Sequence, residues 1–267
     1  MLRIKHIFDG DYGCEEGLSD EKKVSVTLIN ESEEEKYISV KDKWLIRNNL
    51  DIGSYWPMET IEYGNYEASA VLIQPVGNHD LQGLEEEVEE IKKITNKKFQ
   101  LIAVKIENWN YDLSPWKAPA VFGNEDFGEG ASDTLTNIMN LFQDRSKQYY
   151  IGGYSLAGLF SLWAAYQTDT FQGVAAASPS VWLPNFTAYM KENKIKSRTV
   201  YLSLGDKEAK TKNPVMATVA ERICECECIL KDQGVRCMLE WNQGNHFKDP
   251  QIRMAKAFAW VLENGTA

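Results

Sequence analysis

Histidine is scarce in this chain: only three occur among 267 residues, at positions 6, 79 and 246. A reaction that needs an imidazole near neutral pH has few places to find one. Long apolar runs are missing as well. None approaches the ~20 residues that a membrane span requires. The opening Met1-Leu2-Arg3-Ile4-Lys5-His6 lacks the apolar core of a signal peptide, so a cytoplasmic location is expected. No Pro-, Gly- or Ser-rich stretch marks a linker, and no internal repeat is visible. Basic residues are outnumbered, 29 Lys and Arg against 39 Asp and Glu, for a net charge of −10. An acidic surface is a poor partner for nucleic-acid phosphates or anionic membranes, so neither is expected as a partner. Part of this acid sits in two runs, Glu33-Glu34-Glu35 and Glu85-Glu86-Glu87. The second falls on a predicted helix and reads as a solvated face.

Cysteines number five, at 14, 224, 226, 228 and 237. The odd count without a secretory signal argues against a disulfide framework. On a helix Cys224 and Cys228 share a face and Cys226 points away, so three thiolates cannot converge on a metal from Cys224-Glu225-Cys226-Glu227-Cys228. Buried, inert thiols are expected there, and no metal site.

What the chain does have is enough apolar residue, 43%, to build a sizeable core. Residues 24–29 and 36–40 read as β-strands. Asp9-Gly10-Asp11-Tyr12-Gly13 reads as a surface turn, because the ligand spacing of a calcium loop is absent. From about residue 68 strands and helices alternate. Strands are predicted at 69–74, 101–106, from Gln148 to the glycines at 152 and 153, and at 173–177, 199–204 and 237–241. Helices are predicted at 84–94, 134–142, after Ser155, at 214–231 and at 250–262. Such alternation implies a mostly parallel central sheet with helices on both faces, an α/β class. The expected organisation is a single domain over 1–267, with antiparallel N-terminal strands (1–65) joining the sheet edge and a core over 66–267.

The most informative stretch is Gln148 to Trp163. An apolar, aromatic run stops at Gly152-Gly153, then come Tyr154, Ser155 and an apolar segment at helical spacing. Strand, sharp turn and helix with a serine at the apex make a nucleophile elbow. Gly153, Ala157 and Gly158 remove the bulk that would clash there. The Leu156 amide, at the helix N-terminus, would point at an oxyanion beside Ser155.

In an open parallel sheet the reactive groups collect at the carboxyl ends of strands. Two further loops there supply complementary chemistry. One carries Gly205-Asp206-Lys207-Glu208, the other Gln243-Gly244-Asn245-His246. A serine hydroxyl is a poor nucleophile near neutral pH, so His246 would take its proton. A carboxylate, Asp206 or Glu208, would orient the far ring nitrogen.

These segments carry a resemblance. Gly153-Tyr154-Ser155-Leu156-Ala157-Gly158, Asp112-Leu113-Ser114-Pro115-Trp116, Ser178-Pro179-Ser180-Val181-Trp182, Gly205-Asp206-Lys207-Glu208 and Gly244-Asn245-His246 resemble the α/β-hydrolase superfamily. Within it they look like the esterase group with esterase D-like, feruloyl-esterase-like and siderophore-esterase-like members. The resemblance spans roughly residues 68–263. It implies the α/β-hydrolase fold and a serine hydrolase that cleaves small-molecule carboxylic esters through an acyl-enzyme, with no cofactor. It also favours Glu208 over Asp206 as the acid, since many members place it three residues after the glycine that ends its strand. Where many members carry a His-Gly pair, this chain has Gln74-Pro75-Val76-Gly77-Asn78-His79. Val76 and Gly77 are therefore the candidates for the second oxyanion-hole amide.

Further candidates lie on the surrounding loops. His79 either lines the substrate pocket or is held by local hydrogen bonds. Trp109, Trp116 and Trp182 either form an apolar rim that binds substrate or pack their loops together. No long apolar insertion resembles a lipase lid. Acyl transfer or thioester hydrolysis would use the same residues, and a non-catalytic hydrolase-fold binding protein would share only the fold.

Overall fold

The computed structural model describes residues 2–8, 23–30, 33–142 and 144–265, the side chain of Arg47 apart. Asp9–Gly13 and Cys14 fall outside these residues. The chain divides into two units, Met1–Pro57 and Met58–Ala267.

The first unit is a three-stranded antiparallel sheet of β1 (Arg3–Phe8), β2 (Lys23–Ile29) and β3 (Glu35–Lys41), followed by a short helix α1 (Asp42–Arg47). Alternation sets which face is buried: Val24, Val26 and Leu28 of β2 pack with Ile4 and Leu45 in a small core of their own. The expectation that these strands extend the main sheet is corrected by the pairing. Among the described residues of 1–65, only β4 (Thr60–Gly64) joins that sheet, antiparallel to its neighbour. Hydrophobic alternation reveals a strand but not its pairing partner, which is a long-range choice.

The second unit holds a seven-stranded sheet. After β4 come β5 (Ala70–Val76), α2 (Leu84–Ile94), β6 (Phe99–Lys105), α3 (Trp109–Asp112), α4 (Ala131–Asn140) and β7 (Gln148–Tyr154). Then follow α5 (Leu156–Gln167), β8 (Phe171–Ala177), α6 (Phe186–Glu192), β9 (Thr199–Gly205), α7 (Val219–Asp232), β10 (Arg236–Asn242) and α8 (Pro250–Asn264). The order across the sheet is β10-β9-β8-β7-β5-β6-β4, and every pairing but that of β4 is parallel.

The inner strands are apolar on both sides because both sides are covered. Leu72, Leu101, Tyr150 and Tyr201 pack with residues of α2 and α8 on one face. Val71, Ile73, Ile151 and Val200 pack with α4, α5 and α7 on the other. The connection reverses direction at β5: β6 is laid down on one side of it and β7 on the other. The loops after β5 and β7 therefore flank the topological switch point, where ligands bind in sheets of this kind.

Two expectations about side-chain burial are corrected. Glu87 of the Glu85–Glu87 run is buried at 3% exposure, because it lies on the stripe of α2 that carries Leu84, Val88 and Ile91. Among the cysteines of α7 only Cys226 is buried, whereas Cys224 and Cys228 are exposed. One face of a helix cannot bury both residues at i, i+4 and the residue between them. Burial pushes the Cys226 thiol up strongly. It lifts that of half-buried Cys237 to about 12, assisted by Glu227.

Candidate active site

Ser155 occupies the turn between β7 and α5 with φ 57 and ψ −120. A non-glycine residue in that region carries backbone strain, which persists only where its surroundings enforce it. Here they do. The Ser155 amide donates to Ala177 O at 3.1 Å, and its carbonyl accepts from the amides of Leu159 and Ser180 at 3.1 and 3.0 Å. The turn is tight enough that a Cβ on Gly153 would stand 2.6 Å from Ala157 Cβ. Glycine at 153 is therefore what admits alanine at 157. The Leu156 amide belongs to the first turn of α5, whose N–H groups have no acceptor within the helix. Ser155 Oγ is 3.3 Å from Ser180 Oγ.

The other two loops meet each other. A Cβ on Gly205, the last residue of β9, would lie 2.4 Å from Gly244 O, so that glycine brings the acidic loop against the histidine loop. His246 Nδ1 lies 2.8 Å from Glu208 Oε2. With the carboxylate ionised, Nδ1 carries the proton and Nε2 is left as an acceptor. Asp206 instead ties the two loops together, its Oδ1 accepting the Gly244 amide at 2.7 Å. Tyr154, the residue before Ser155, reaches the histidine loop: its hydroxyl donates to His246 O at 2.6 Å. The Tyr154 and His246 rings are 5.1 Å apart.

Glu208 Oε1 accepts three hydrogen bonds, from Ser178 Oγ at 2.7 Å, the Gly205 amide at 2.7 Å and Arg253 Nη1 at 2.8 Å. Burial acting alone would raise its pKa. The hydrogen bond and charge of His246, then the Gly205 amide and Ser178 hydroxyl, outweigh it and hold the carboxyl below its usual range. The carboxylate is thus ionised at neutral pH. Tyr154 is pushed up to about 12, chiefly by burial, and is a neutral hydrogen-bonding group.

The oxyanion-loop candidates differ. Val76 ends β5, and its carbonyl accepts the Ile106 amide at 2.9 Å. The Gly77 amide donates to Asp80 Oδ2 at 2.8 Å, so it is engaged within its own loop. His79 lies over Gly77, edge-on to Trp109 with centroids 5.0 Å apart, and its Nε2 is 3.4 Å from Asp80 Oδ2. Local contacts of both kinds hold His79, which is itself largely exposed.

Trp116 donates from Nε1 to Pro184 O at 2.9 Å and packs against Phe186 and Tyr189. Trp182 is buried between Phe122 and Phe127. It is also part of the wall of a pocket of about 410 Å³, with Leu183, Pro184, Phe186, Pro214 and Arg222. That pocket adjoins the loop that brings Ser180 to Ser155.

Four side chains here have no role assigned from the sequence: Tyr154, Ser178 and Ser180, which occur there only within the segments that carry the resemblance, and Arg253. For Arg253 a signal existed. It lies on the α8 stripe that continues through Ala257 and Val261, both fully buried, and a cation aligned with a buried stripe must meet an anion.

No family model and no curated protein sequence matches the chain. Solved structures do. An IroE-like serine hydrolase from Shewanella oneidensis superposes with a TM-score of 0.60 at 13% identity, over 79% of this chain and 77% of its own. The siderophore hydrolase EstA from Aspergillus nidulans gives 0.56 at 15% identity, over 96% and 99%. The enterobactin esterase FES from Shigella flexneri gives 0.51 at 10% identity, over 98% and 89%. The fold is that of the α/β hydrolases.

Proposed function

We propose that this protein is a serine hydrolase that cleaves carboxylic esters through an acyl-enzyme. Ser155 is the nucleophile, His246 the general base and then the general acid, and Glu208 the residue that orients and charge-balances the imidazole. The observation that carries the reading is the conformation of Ser155. A residue at φ 57 between a strand and a helix is strained, and strain of this kind is concentrated at functional sites. Its chain neighbour Tyr154 donates to the carbonyl of His246, whose Nδ1 is paired with a buried carboxylate, and this supports the pairing of His246 with Ser155.

The steps follow from these roles. His246 Nε2 removes the Ser155 proton as Oγ attacks the ester carbonyl. The tetrahedral oxyanion forms beside the Leu156 amide, and the α5 dipole favours the negative charge. His246 then protonates the departing alcohol, and the same base activates water to release the acid. Val76 and Gly77 remain the candidates for the second donor. For Gly77 to serve, its amide must leave Asp80. The pocket beside Trp182 is suited to the apolar part of a small-molecule ester, and Trp109 of α3 packs edge-on against His79 of the oxyanion loop. EstA is named a siderophore hydrolase and FES an enterobactin esterase, so a siderophore and enterobactin belong in the substrate panel.

A fluorophosphonate probe tests the assignment. It should label the wild-type chain at Ser155 and leave Ser155→Ala unlabelled, and that variant should lose p-nitrophenyl ester hydrolysis by several orders of magnitude. A wild-type chain that folds but takes no label would be a binding protein on a hydrolase fold. Thioester and acyl-acceptor substrates run beside the esters separate hydrolysis of an ester from its close chemical relatives.

A further inference from the structure

Arg253 is the largest fully buried side chain among the described residues. A guanidinium cannot lose its charge, so its burial must be matched by an anion and by acceptors for its N–H groups. Both are present. Nη1 donates to Glu208 Oε1 at 2.8 Å, Ser178 Oγ at 3.0 Å and Tyr154 Oη at 3.1 Å. Nη2 donates to the carbonyls of Asn245 at 2.9 Å and Gln243 at 3.4 Å. One planar group therefore touches the residue before Ser155, the carboxylate on His246 and the two carbonyls of the loop that delivers His246.

We propose that Arg253 is a positioning residue for the acid–base pair: its guanidinium neutralises Glu208 and braces the His246 loop, so that turnover persists to lower pH than an uncompensated carboxylate would allow. The proposal rests on the assignment of Ser155, His246 and Glu208 given above. Its physical basis is charge. A buried carboxylate facing only an imidazole binds a proton readily and pulls strongly on a proton held by that ring. A cation at 2.8 Å on its other oxygen opposes both effects.

The remaining groups around the pair do not offer an alternative counter-charge. From β7, Tyr154 is neutral. From β9, Tyr201 is neutral too, and it donates to Glu240 at 2.5 Å, which Lys256 of α8 also holds at 2.6 Å. On the acid's own loop Asp206 is engaged by the Gly244 amide, with Lys207 beside it. On the histidine loop the Lys248 side chain lies along Gly244. Among the ion pairs of the described residues, Glu208 has two partners, His246 and Arg253.

The test is the pH dependence of kcat/KM on a soluble p-nitrophenyl ester for wild type, Arg253→Met and Arg253→Lys. Arg253→Met should move the acid-side midpoint up by about one pH unit or more and lower kcat. Arg253→Lys keeps a charge but not the fork, so it should lower kcat while its midpoint stays near that of wild type. A Met profile that superimposes on wild type after scaling would reduce Arg253 to a structural residue and overturn the proposal. So would a Lys variant whose midpoint moves as far as that of Met. If Arg253→Met fails to fold by circular dichroism, Arg253→Gln takes its place with the same expectation. Fluorophosphonate labelling of wild type keeps the two assignments apart. No label at Ser155 removes the catalytic assignment itself, whereas a labelled enzyme with an unmoved midpoint removes only the role of Arg253.

Discussion

Glu208 and Glu87 are the same residue type in the same unit, each with its carboxyl withdrawn from solvent (the Glu208 side chain is 4% exposed, the Glu87 residue as a whole 3%), and they are in opposite charge states. Glu208 accepts on Oε1 from a hydroxyl, a backbone amide and a guanidinium, and its Oε2 faces an imidazole. Glu87 receives one hydrogen bond, from Gln74 Nε2 at 3.2 Å. Its Oε1 and the Oε1 of Gln74 are both without a hydrogen-bond partner among the described residues. Burial lifts the Glu87 carboxyl to about 8; the Gln74 hydrogen bond opposes the rise and the nearby charge of Asp80 adds to it. At neutral pH Glu87 keeps its proton. A protonated carboxyl also brings a donor to a place where two acceptors lack one. Burial sets the cost of a charge, and the partners decide whether that cost is met. They meet it beside His246, where an anion is needed, and not beneath α2.

The largest way to break this contrast is to remove the charge of Glu208 while keeping its shape. Glu208→Gln should lower kcat by roughly 10³–10⁴, because an amide neither fixes the tautomer of His246 nor balances an imidazolium. Asp206→Asn should cost about tenfold or less, since an amide oxygen can still accept the Gly244 amide. Steady-state kinetics on one p-nitrophenyl ester ranks the two. The reverse order would make Asp206 the acid.

Much of this geometry was legible in the sequence. The alternation of strands and helices locates β5 to β10 within a few residues, and the elbow is announced by Gly153, Ser155 and Ala157. What stayed hidden depends on contacts between segments far apart in the chain. The separate pairing of β1, β2 and β3 is one case. The short helices α3 and α6 are another, since each is under eight residues and takes its shape from the loop around it. Glu87 was misread because a run of three acids looks solvated, although Leu84, Val88 and Ile91 already mark the stripe on which it falls. The five hydrogen bonds of Arg253 join residues up to 99 positions apart, and no local pattern encodes them.

Glu87 supplies the next test, and its sign is opposite to that of Glu208. A carboxyl raised from 4.5 to about 8 on folding holds a proton in the native chain that the unfolded chain has released. Stability therefore falls as pH rises from about 4.5 to about 8, then levels off. Glu87→Gln removes this titration and can pair with Gln74 through two amides. It should match wild type in urea at pH 5 and exceed it at pH 9, by an amount on the order of 5 kcal/mol as an upper bound. Glu208 works the other way. Its lowered carboxyl stabilises the native chain above the unfolded pKa, and that contribution is lost as pH falls through the folded one. Equal urea midpoints for wild type and Glu87→Gln at pH 9 as well as pH 5 would mean that folding does not raise the Glu87 carboxyl, which would then be ionised at neutral pH, and the contrast between the two glutamates would collapse.

The smallest effect is expected on the other side of the imidazole, where partners are few and no charge is involved. Phe247 is 84% exposed, yet it is not loosely placed. Its amide donates to Asn245 Oδ1 at 3.1 Å, and its ring stands edge-on to His246 with centroids 5.4 Å apart. A large apolar side chain held in solvent next to the proposed base has surface to offer an ester bound there, and little to offer the fold. An aromatic contact of this kind is worth about 0.5–1.5 kcal/mol. Phe247→Ala should therefore raise KM for aryl esters roughly two- to tenfold, with kcat and the urea midpoint nearly unchanged, and Phe247→Tyr should restore it. An acetyl ester of a small alcohol, too short to reach the ring, should not distinguish the variants. A fall in kcat with KM unchanged would instead place Phe247 with Glu208 and Arg253, among the groups that hold the imidazole in position.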